Sequence, residues 1–238
     1  MTTVPQAIFF DLDDTILDFT GPAGPAWQTT VARFTGDYGG IEPTTVLAAI
    51  NRVSRVWWSD PDRHRRGRLD LQTTRGRNVG DALAELGIAD NGLAQRVADT
   101  FARLRTEGLQ LFPGALATLQ HFQQLGVPMA LLTNGGSAEQ RHKIDHFKLA
   151  GFFDCIIIEG EFGVGKPDES VFHHALEQLG HPVEQTWMVG DNLRWEIEPC
   201  RRLGLYTVWV DPRHEGLAPG ATIEPHRTVH NIHELIEV

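Results

Sequence analysis

Lysine is nearly missing from this chain. Lys143, Lys148 and Lys166 are its only three, and the other basic residues are all arginine. None of the three falls between residues 18 and 110, so no chemistry that needs a lysine amine can be housed in that stretch. Cysteine is as scarce, with Cys155 and Cys200 alone. Two are too few for a disulfide framework. Both sit in strand-like or helix-like runs that suit buried thiols in a reducing cytoplasm. No segment reaches the roughly 18–20 uncharged apolar residues of a membrane helix. The N-terminus has no basic stretch leading into a clean apolar run, so no secretory signal is expected. Positive charge is short overall: the net charge of −10 argues against general nucleic-acid binding.

What is present is core material. Hydrophobic residues make up 41% of the 238, with 12 Phe and 6 Trp, enough for one large domain or two small ones. The acidic excess is unevenly spread. Residues 18–110 hold 12 Arg and 11 acids, against 9 basic and 20 acidic residues elsewhere. The inner stretch is therefore close to neutral and the remainder strongly acidic.

From residue 112 onward the apolar pattern alternates between helix and strand. Gly114–Gln124 predicts an amphipathic helix, Val127–Leu132 a strand, and Ser137–Phe147 a helix with Ser137 as N-cap. Cys155–Ile158, Thr186–Val189 and Tyr206–Val210 predict strands; Asp168–Leu179 and Leu193–Leu203 predict the helices between them. Alternating β and α units imply a parallel sheet with helices on both faces. Asp211–His226 is rich in Pro and Gly and reads as loop, and Asn231–Val238 as a short closing helix. Residues 18–110 differ. Pro22–Phe34, Thr44–Trp58, Gln72–Leu86 and Leu93–Arg105 look helical, with turn signals at Gly39-Gly40 and Ser59-Asp60-Pro61 and no clear strand. Two domains are expected: a core of residues 1–17 and 111–238, and a helical insertion, 18–110. Gly21-Pro22 and Phe112-Pro113-Gly114 would be the hinges.

Residues 8–15 read Ile-Phe-Phe-Asp-Leu-Asp-Asp-Thr. A run fit for a buried strand ends abruptly in three acids. Carboxylates this close repel one another unless a cation or protons intervene. Asp11 and Asp13 face the same side of an extended chain, so one can attack phosphorus while the other handles a proton. Taken alone, the motif also reads as an acidic turn in which Asp14 or Thr15 caps a helix. Three further pieces follow in order. Leu131-Leu132-Thr133-Asn134-Gly135-Gly136 ends a strand in a hydroxyl, an amide and glycines. Gly165-Lys166-Pro167-Asp168 sets a lysine just before a helix start. Val189-Gly190-Asp191-Asn192, with Glu196 beyond, ends a third strand in acid. Asp11, Thr133 and Asp191 thus each terminate a predicted strand, where ligands of open parallel sheets gather.

The four motifs in this order resemble the haloacid dehalogenase-like (HAD) hydrolases, specifically their metal-dependent phosphatases, over nearly the whole chain. The resemblance implies an α/β fold: a doubly wound, parallel-sheet, Rossmann-like core with an all-helical cap inserted after the first strand. It implies Asp11 as nucleophile, forming an aspartyl-phosphate, and Asp13 as general acid and then base. A metal would be held by Asp11, the main-chain carbonyl of Asp13, and Asp191. Hard oxygen ligands without His or Cys companions favour Mg2+ over Zn2+. Thr133, with the amides of Asn134 and Gly135, would bind phosphate, and Lys166 would neutralise charge on nucleophile and phosphoryl group. Asp14 is expected to point away and support the loop. One position departs from the family pattern. The acid five residues after Asp191 is ordinarily Asp, and here it is Glu196. It is expected to support the metal, directly or through water, with an exposed helix glutamate as the plain alternative.

The inserted stretch carries Arg63, Arg65, Arg66, Arg68, Arg75 and Arg77. These read as a solvated surface, or as a cluster from which one or two reach the substrate. Trp57-Trp58 reads as core or as a stacking wall. The layout Trp57, Gly67, Arg77, then Ala82–Gly87, loosely resembles caps of the pyrimidine nucleotidase and N-acylneuraminate-9-phosphatase branch. It makes Trp57 and Arg77 the candidates for substrate specificity. The implied reaction is hydrolysis of a small phosphomonoester: a nucleotide, a sugar phosphate or phosphoglycolate. A metal-independent 2-haloacid dehalogenase shares the scaffold, but its family lacks an acid where Asp13 stands. A phosphosugar mutase shares all four motifs. An inactive phosphate-binding module is disfavoured by the retention of Asp11, Asp13, Lys166 and Asp191. Phosphonate hydrolysis through a cap lysine is excluded by the absence of lysine from 18–110. The expected partner is a small phosphorylated metabolite in the cytoplasm, with no nucleic acid and no membrane.

Overall fold

The apolar run before the acids becomes β1 (Ala7–Phe10), all four of its side chains buried, in a computed structural model that describes residues 4–236. A two-residue strand, β2 (Leu17–Asp18), follows at once. Five helices come next: α1 (Ala23–Arg33), α2 (Pro43–Trp58), α3 (Pro61–Gly67), α4 (Leu71–Glu85) and α5 (Leu93–Glu107). Then β3 (Gln110–Leu111) pairs antiparallel with β2, Leu17 opposite Leu111. The chain divides into two compact units, Met1–Asp18 with Gln110–Val238, and Phe19–Leu109.

The helical unit has its own core, with Val46 and Ile50 of α2, Val79 and Leu83 of α4 and Val97 of α5 packed around Tyr38. The sequence read Ser59-Asp60-Pro61 as a turn, but it opens α3. The Asp60 carboxylate accepts the amide of Arg63 at 2.8 Å. Pro61 takes the first helical position, where its missing N–H removes no helix bond.

The rest of the other unit is regular βα alternation. It comprises α6 (Ala115–Gln124), β4 (Met129–Thr133), α7 (Ser137–His146), β5 (Cys155–Ile158), the single turn α8 (Glu159–Phe162) and α9 (Glu169–Leu179). After them come β6 (Thr186–Gly190), α10 (Glu198–Leu203), β7 (Tyr206–Val210) and β8 (Arg227–Val229). The sheet order is β5-β4-β1-β6-β7-β8, with every pairing parallel. Strands of such a sheet need cover on both faces, and their continuous apolar composition follows from that. Phe9, Ala130, Leu132 and Met188 share one face with Val171 and Phe172 of α9. β1 is the switch point: the strands run outward from it to β4 and β5 on one side and to β6, β7 and β8 on the other. The loops beyond β1, β4 and β6 therefore part there and leave a crevice.

Three expectations need correction, and one strand was not foreseen. Ser137 is the first residue of α7 and not its cap; Gly136 precedes it, and the Ser137 hydroxyl donates to Glu161 at 2.6 Å. Leu193–Leu203 is not one α-helix. Leu193–Ile197 is a wide π-type turn, and α10 starts only at Glu198. Pro199 has no N–H to continue the tighter ladder back into that turn. β8 was invisible in the sequence because three residues are too few to show alternation. The closing helix is a 3-10 turn, Ile232–Leu235, capped reciprocally by Asn231 and Glu234; the last two residues of the expected Asn231–Val238 segment lie outside the described ones. Cys200 is buried as expected, and Cys155 is half-buried. Among the described residues no helix is long and apolar enough to cross a membrane.

Tyr38 is fully buried, and its hydroxyl has no hydrogen-bond partner among the described residues. Leaving such a group unsatisfied costs about 1–3 kcal/mol. Tyr38→Phe is therefore expected to raise the urea midpoint, by about 1 kcal/mol of stability. A lower midpoint would mean that the hydroxyl is bonded to water after all.

Candidate active site

The amide of Asp11 donates to the Val189 carbonyl of β6 at 3.0 Å, one step past the end of β1. That bond holds Asp11 at the crevice, where its side chain is 8% exposed. Lys166 meets it there. The lysine ammonium donates to Asp11 Oδ1 at 2.6 Å, the Leu132 carbonyl at 2.7 Å and Glu196 Oε1 at 2.8 Å. An ammonium has three donors, and all three are used. The lysine's own backbone is held by Asn134: Asn134 Nδ2 donates to the Lys166 carbonyl, and the Lys166 amide donates to Asn134 Oδ1, both at 2.8 Å. The side chain of Asn134 is thus occupied by the lysine loop. Gly165 must lack a Cβ, which would lie 2.5 Å from Asn134 Oδ1. The Gly135 amide, expected to face phosphate, instead donates to Glu159 Oε2 at 3.0 Å. Buried Thr133 ends β4 beside these groups.

Glu196 is not an exposed helix residue: it is 2% exposed. The wide turn turns it inward. Asn192 Oδ1 accepts the amides of Arg194 and Trp195 at 3.1 and 3.0 Å, and the Asn192 amide donates to Glu196 Oε2 at 2.9 Å. The carboxylate occupies the space that a Cβ on Gly190 would need. Wide turns of this kind recur at functional sites. Asp191 follows β6, and its carbonyl accepts the Trp209 indole N–H at 2.7 Å.

Carboxylate oxygens of Asp11, Asp191 and Glu196 lie within 4.8 Å of one another. Asp11 and Glu196 pair with the Lys166 ammonium, and full ionisation of all three acids would leave two uncompensated negative charges in a buried place. Burial is the main reason that Asp11 is pushed up to about 8; the Glu196 charge adds to the rise and Lys166 opposes it. Burial, then Glu196 and Asp11, hold Asp191 well above the usual carboxylate range. Burial alone would lower Lys166, but Asp11 and Glu196 outweigh it and keep the lysine protonated. A hard divalent cation fits this all-oxygen donor set and its residual charge.

Asp13 sits apart from that cluster. Its half-buried carboxylate turns to α7, where the Lys143 ammonium donates to both oxygens, at 3.0 and 2.7 Å. Gln140 Nε2 adds a bond to Oδ2 at 3.1 Å. Asp14 takes a left-handed φ of 61°, which Asp tolerates, and its carboxylate accepts from Arg213 at 3.0 Å. Lys143, Gln140 and Arg213 were not anticipated. Gln140 and Lys143 are three apart and share a helix face, and Lys143 is one of only three lysines. Those were the available signals.

In the helical unit, Trp57 and Arg77 meet each other: the Arg77 guanidinium lies 4.3 Å from the centre of the Trp57 ring, and Arg63 lies 5.0 Å from it. Arg77 also faces Asp81 at 3.9 Å, both largely exposed. Gly67 has a packing reason, since a Cβ there would lie 3.1 Å from the Trp58 ring.

The sequence signature of one family, the haloacid dehalogenase-like hydrolases, matches residues 5–204. The chain belongs to that family. One relative of this HAD hydrolase is the pyrimidine 5'-nucleotidase YjjG of Escherichia coli, 29% identical over 229 residues, 96% of this chain and 95% of that protein. Another, the phosphoserine phosphatase of Thermus thermophilus, is 39% identical over 145 residues, 61% of this chain and only 56% of that protein. The magnesium-bound HAD-hydrolase YfnB from Bacillus subtilis is a structural neighbour, with TM-score 0.73, 24% identity, and 99% and 98% of the two chains covered. A 2-haloacid dehalogenase from Pseudomonas syringae pv. Tomato also matches, with TM-score 0.64, 24% identity, and 97% and 96% covered. At that identity the two structures establish the shared fold.

Removing Lys166 from this hydrolase would leave Asp11 and Glu196 buried without a partner. Breaking a buried pair in this way costs about 3–5 kcal/mol. Lys166→Met should show that loss in urea denaturation at neutral pH. A loss below about 1 kcal/mol would mean that water already reaches the pair.

Proposed function

We propose that this HAD hydrolase cleaves a small phosphomonoester through an aspartyl-phosphate on Asp11, with Asp13 as general acid and then base. The observation that carries the reading is the second carboxyl group. Asp13 follows the nucleophile by two residues and is held outside the carboxylate cluster, by Lys143 and Gln140. A haloacid dehalogenation needs no such acid. The names of the two relatives, a phosphoserine phosphatase and a pyrimidine 5'-nucleotidase, point the same way.

Asp11, oriented by Lys166, attacks phosphorus in line. Asp13 donates a proton to the departing oxygen, and then takes one from the water that hydrolyses the acyl phosphate. Thr133 and the main-chain amide of Asn134 bind the phosphoryl oxygens, and Lys166 neutralises their charge. Asp11, Asp191 and the main-chain carbonyl of Asp13 would hold Mg2+, supported by Glu196. When bound, the ion supplies Lewis-acid stabilisation of the phosphoryl charge and offsets the repulsion between nucleophile and substrate. We assign the helical unit the part of a cap, with the Trp57 ring and Arg77 as its specificity residues.

Two experiments test the reading. Hydrolysis across a panel of phosphomonoesters should require Mg2+, disappear with EDTA and return when Mg2+ is restored. Full activity without metal would redirect the assignment to halide release from a 2-haloacid. Asp11→Asn should lower turnover by several orders of magnitude, roughly the scale expected when covalent catalysis is lost. Asp13→Asn should hurt aliphatic phosphate esters far more than nitrophenyl phosphate, whose leaving group needs no proton. Equal losses on both would remove Asp13 from the acid role.

A further inference from the structure

Lys143 is a buried lysine for which the four motifs have no use. It is 2% exposed and lies on α7, one helical turn from Gln140. A buried ammonium is costly unless paired, and its short bonds go to Asp13. Both Asp13 oxygens accept from Lys143 Nζ, at 3.0 and 2.7 Å, and Glu139 lies further off, at 3.7 Å. Gln140 adds its amide to Asp13 Oδ2 at 3.1 Å and also donates to the Asn134 carbonyl at 2.5 Å. That second bond ties the amide to the turn after β4. A half-buried aspartate would otherwise sample several rotamers. Two oxygens fixed by an ammonium and one of them again by an anchored amide leave it one orientation. Proton transfer requires the acid within hydrogen-bond reach of the leaving oxygen, and a misplacement of about 1 Å can cost on the order of 100-fold.

We infer that Lys143, assisted by Gln140, is the positioning residue for the proton donor: it acts through Asp13 and does not touch substrate. The inference rests on Asp13 being the general acid. The test measures kcat and KM with Mg2+ on nitrophenyl phosphate and on the best aliphatic phosphomonoester of a substrate panel. The enzymes are wild type, Lys143→Met, Lys143→Arg, Gln140→Leu, Asp13→Asn and the Asp13→Asn/Lys143→Met double variant, each checked for folding by thermal melting. Lys143→Met should lower kcat on the aliphatic ester by about 10–100-fold, with KM and nitrophenyl phosphate turnover little changed. Lys143→Arg should recover most of the loss, and Gln140→Leu should show the same selectivity at smaller size. In the Asp13→Asn background, Lys143→Met should add nothing. Equal loss on both substrates, further loss in that background, or unchanged or faster turnover of the aliphatic ester would each overturn the inference. If Asp13→Asn keeps its leaving-group selectivity, such a result removes Lys143 alone; if Asp13→Asn has none, the acid assignment falls with it.

Discussion

A single ammonium in a nest of buried acids is the constraint around which this site is arranged. Lys166 donates to Asp11, Glu196 and the Leu132 carbonyl, and its neighbours are shaped to let it. Gly165 and Gly190 lack side chains because Asn134 and Glu196 occupy the space. Asn134 uses its whole amide on the lysine's backbone. The wide turn after Asn192 brings a glutamate inward, where a regular helix would present a different face. Each feature would be an oddity alone. Together they keep one positive charge between two carboxylates in a place with little water.

The same arrangement separates two aspartates that lie only two residues apart. Asp11 is held in the acid cluster, where burial and Glu196 push its proton affinity up to about 8. Asp13 is drawn to α7 by its own lysine. Two of the chain's three lysines are thus committed to two of the three aspartates of the first motif. The proposed attack by Asp11 needs an ionised carboxylate, and a bound divalent cation would offset the rise that burial and Glu196 cause. The clustered oxygens of Asp11, Asp191 and Glu196 are a donor set that suits a hard divalent cation.

The helical unit is built on another principle. Its core is apolar and its own. Its arginines serve the surface, in part by stacking: Arg77 and Arg63 on Trp57, and Arg105 on Phe19 at 4.1 Å. The 11 acids of the stretch balance its dozen arginines, and the exposed guanidinium planes of Arg63 and Arg77 cover a ring face while remaining hydrated.

By itself the sequence determined five of the six strands of the sheet and the residues that stand at the ends of β1, β4 and β6, because each of those signals is local. An apolar run that stops at Asp11, Thr133 or Asp191 is legible from a few neighbours. Asp60-Pro61 was just as local but carried two meanings, turn and helix start, and the amide of Arg63 decided between them. Only the tertiary structure decided the inward turn of Glu196, the use of the Asn134 amide and the pairing of Lys143 with Asp13. Those contacts join residues as much as 155 positions apart for Lys166 with Asp11 and 130 for Lys143 with Asp13. No periodicity encodes such a meeting. It exists because β1, β4 and β6 lie side by side and deliver their C-terminal loops, and the helices that follow them, to one crevice.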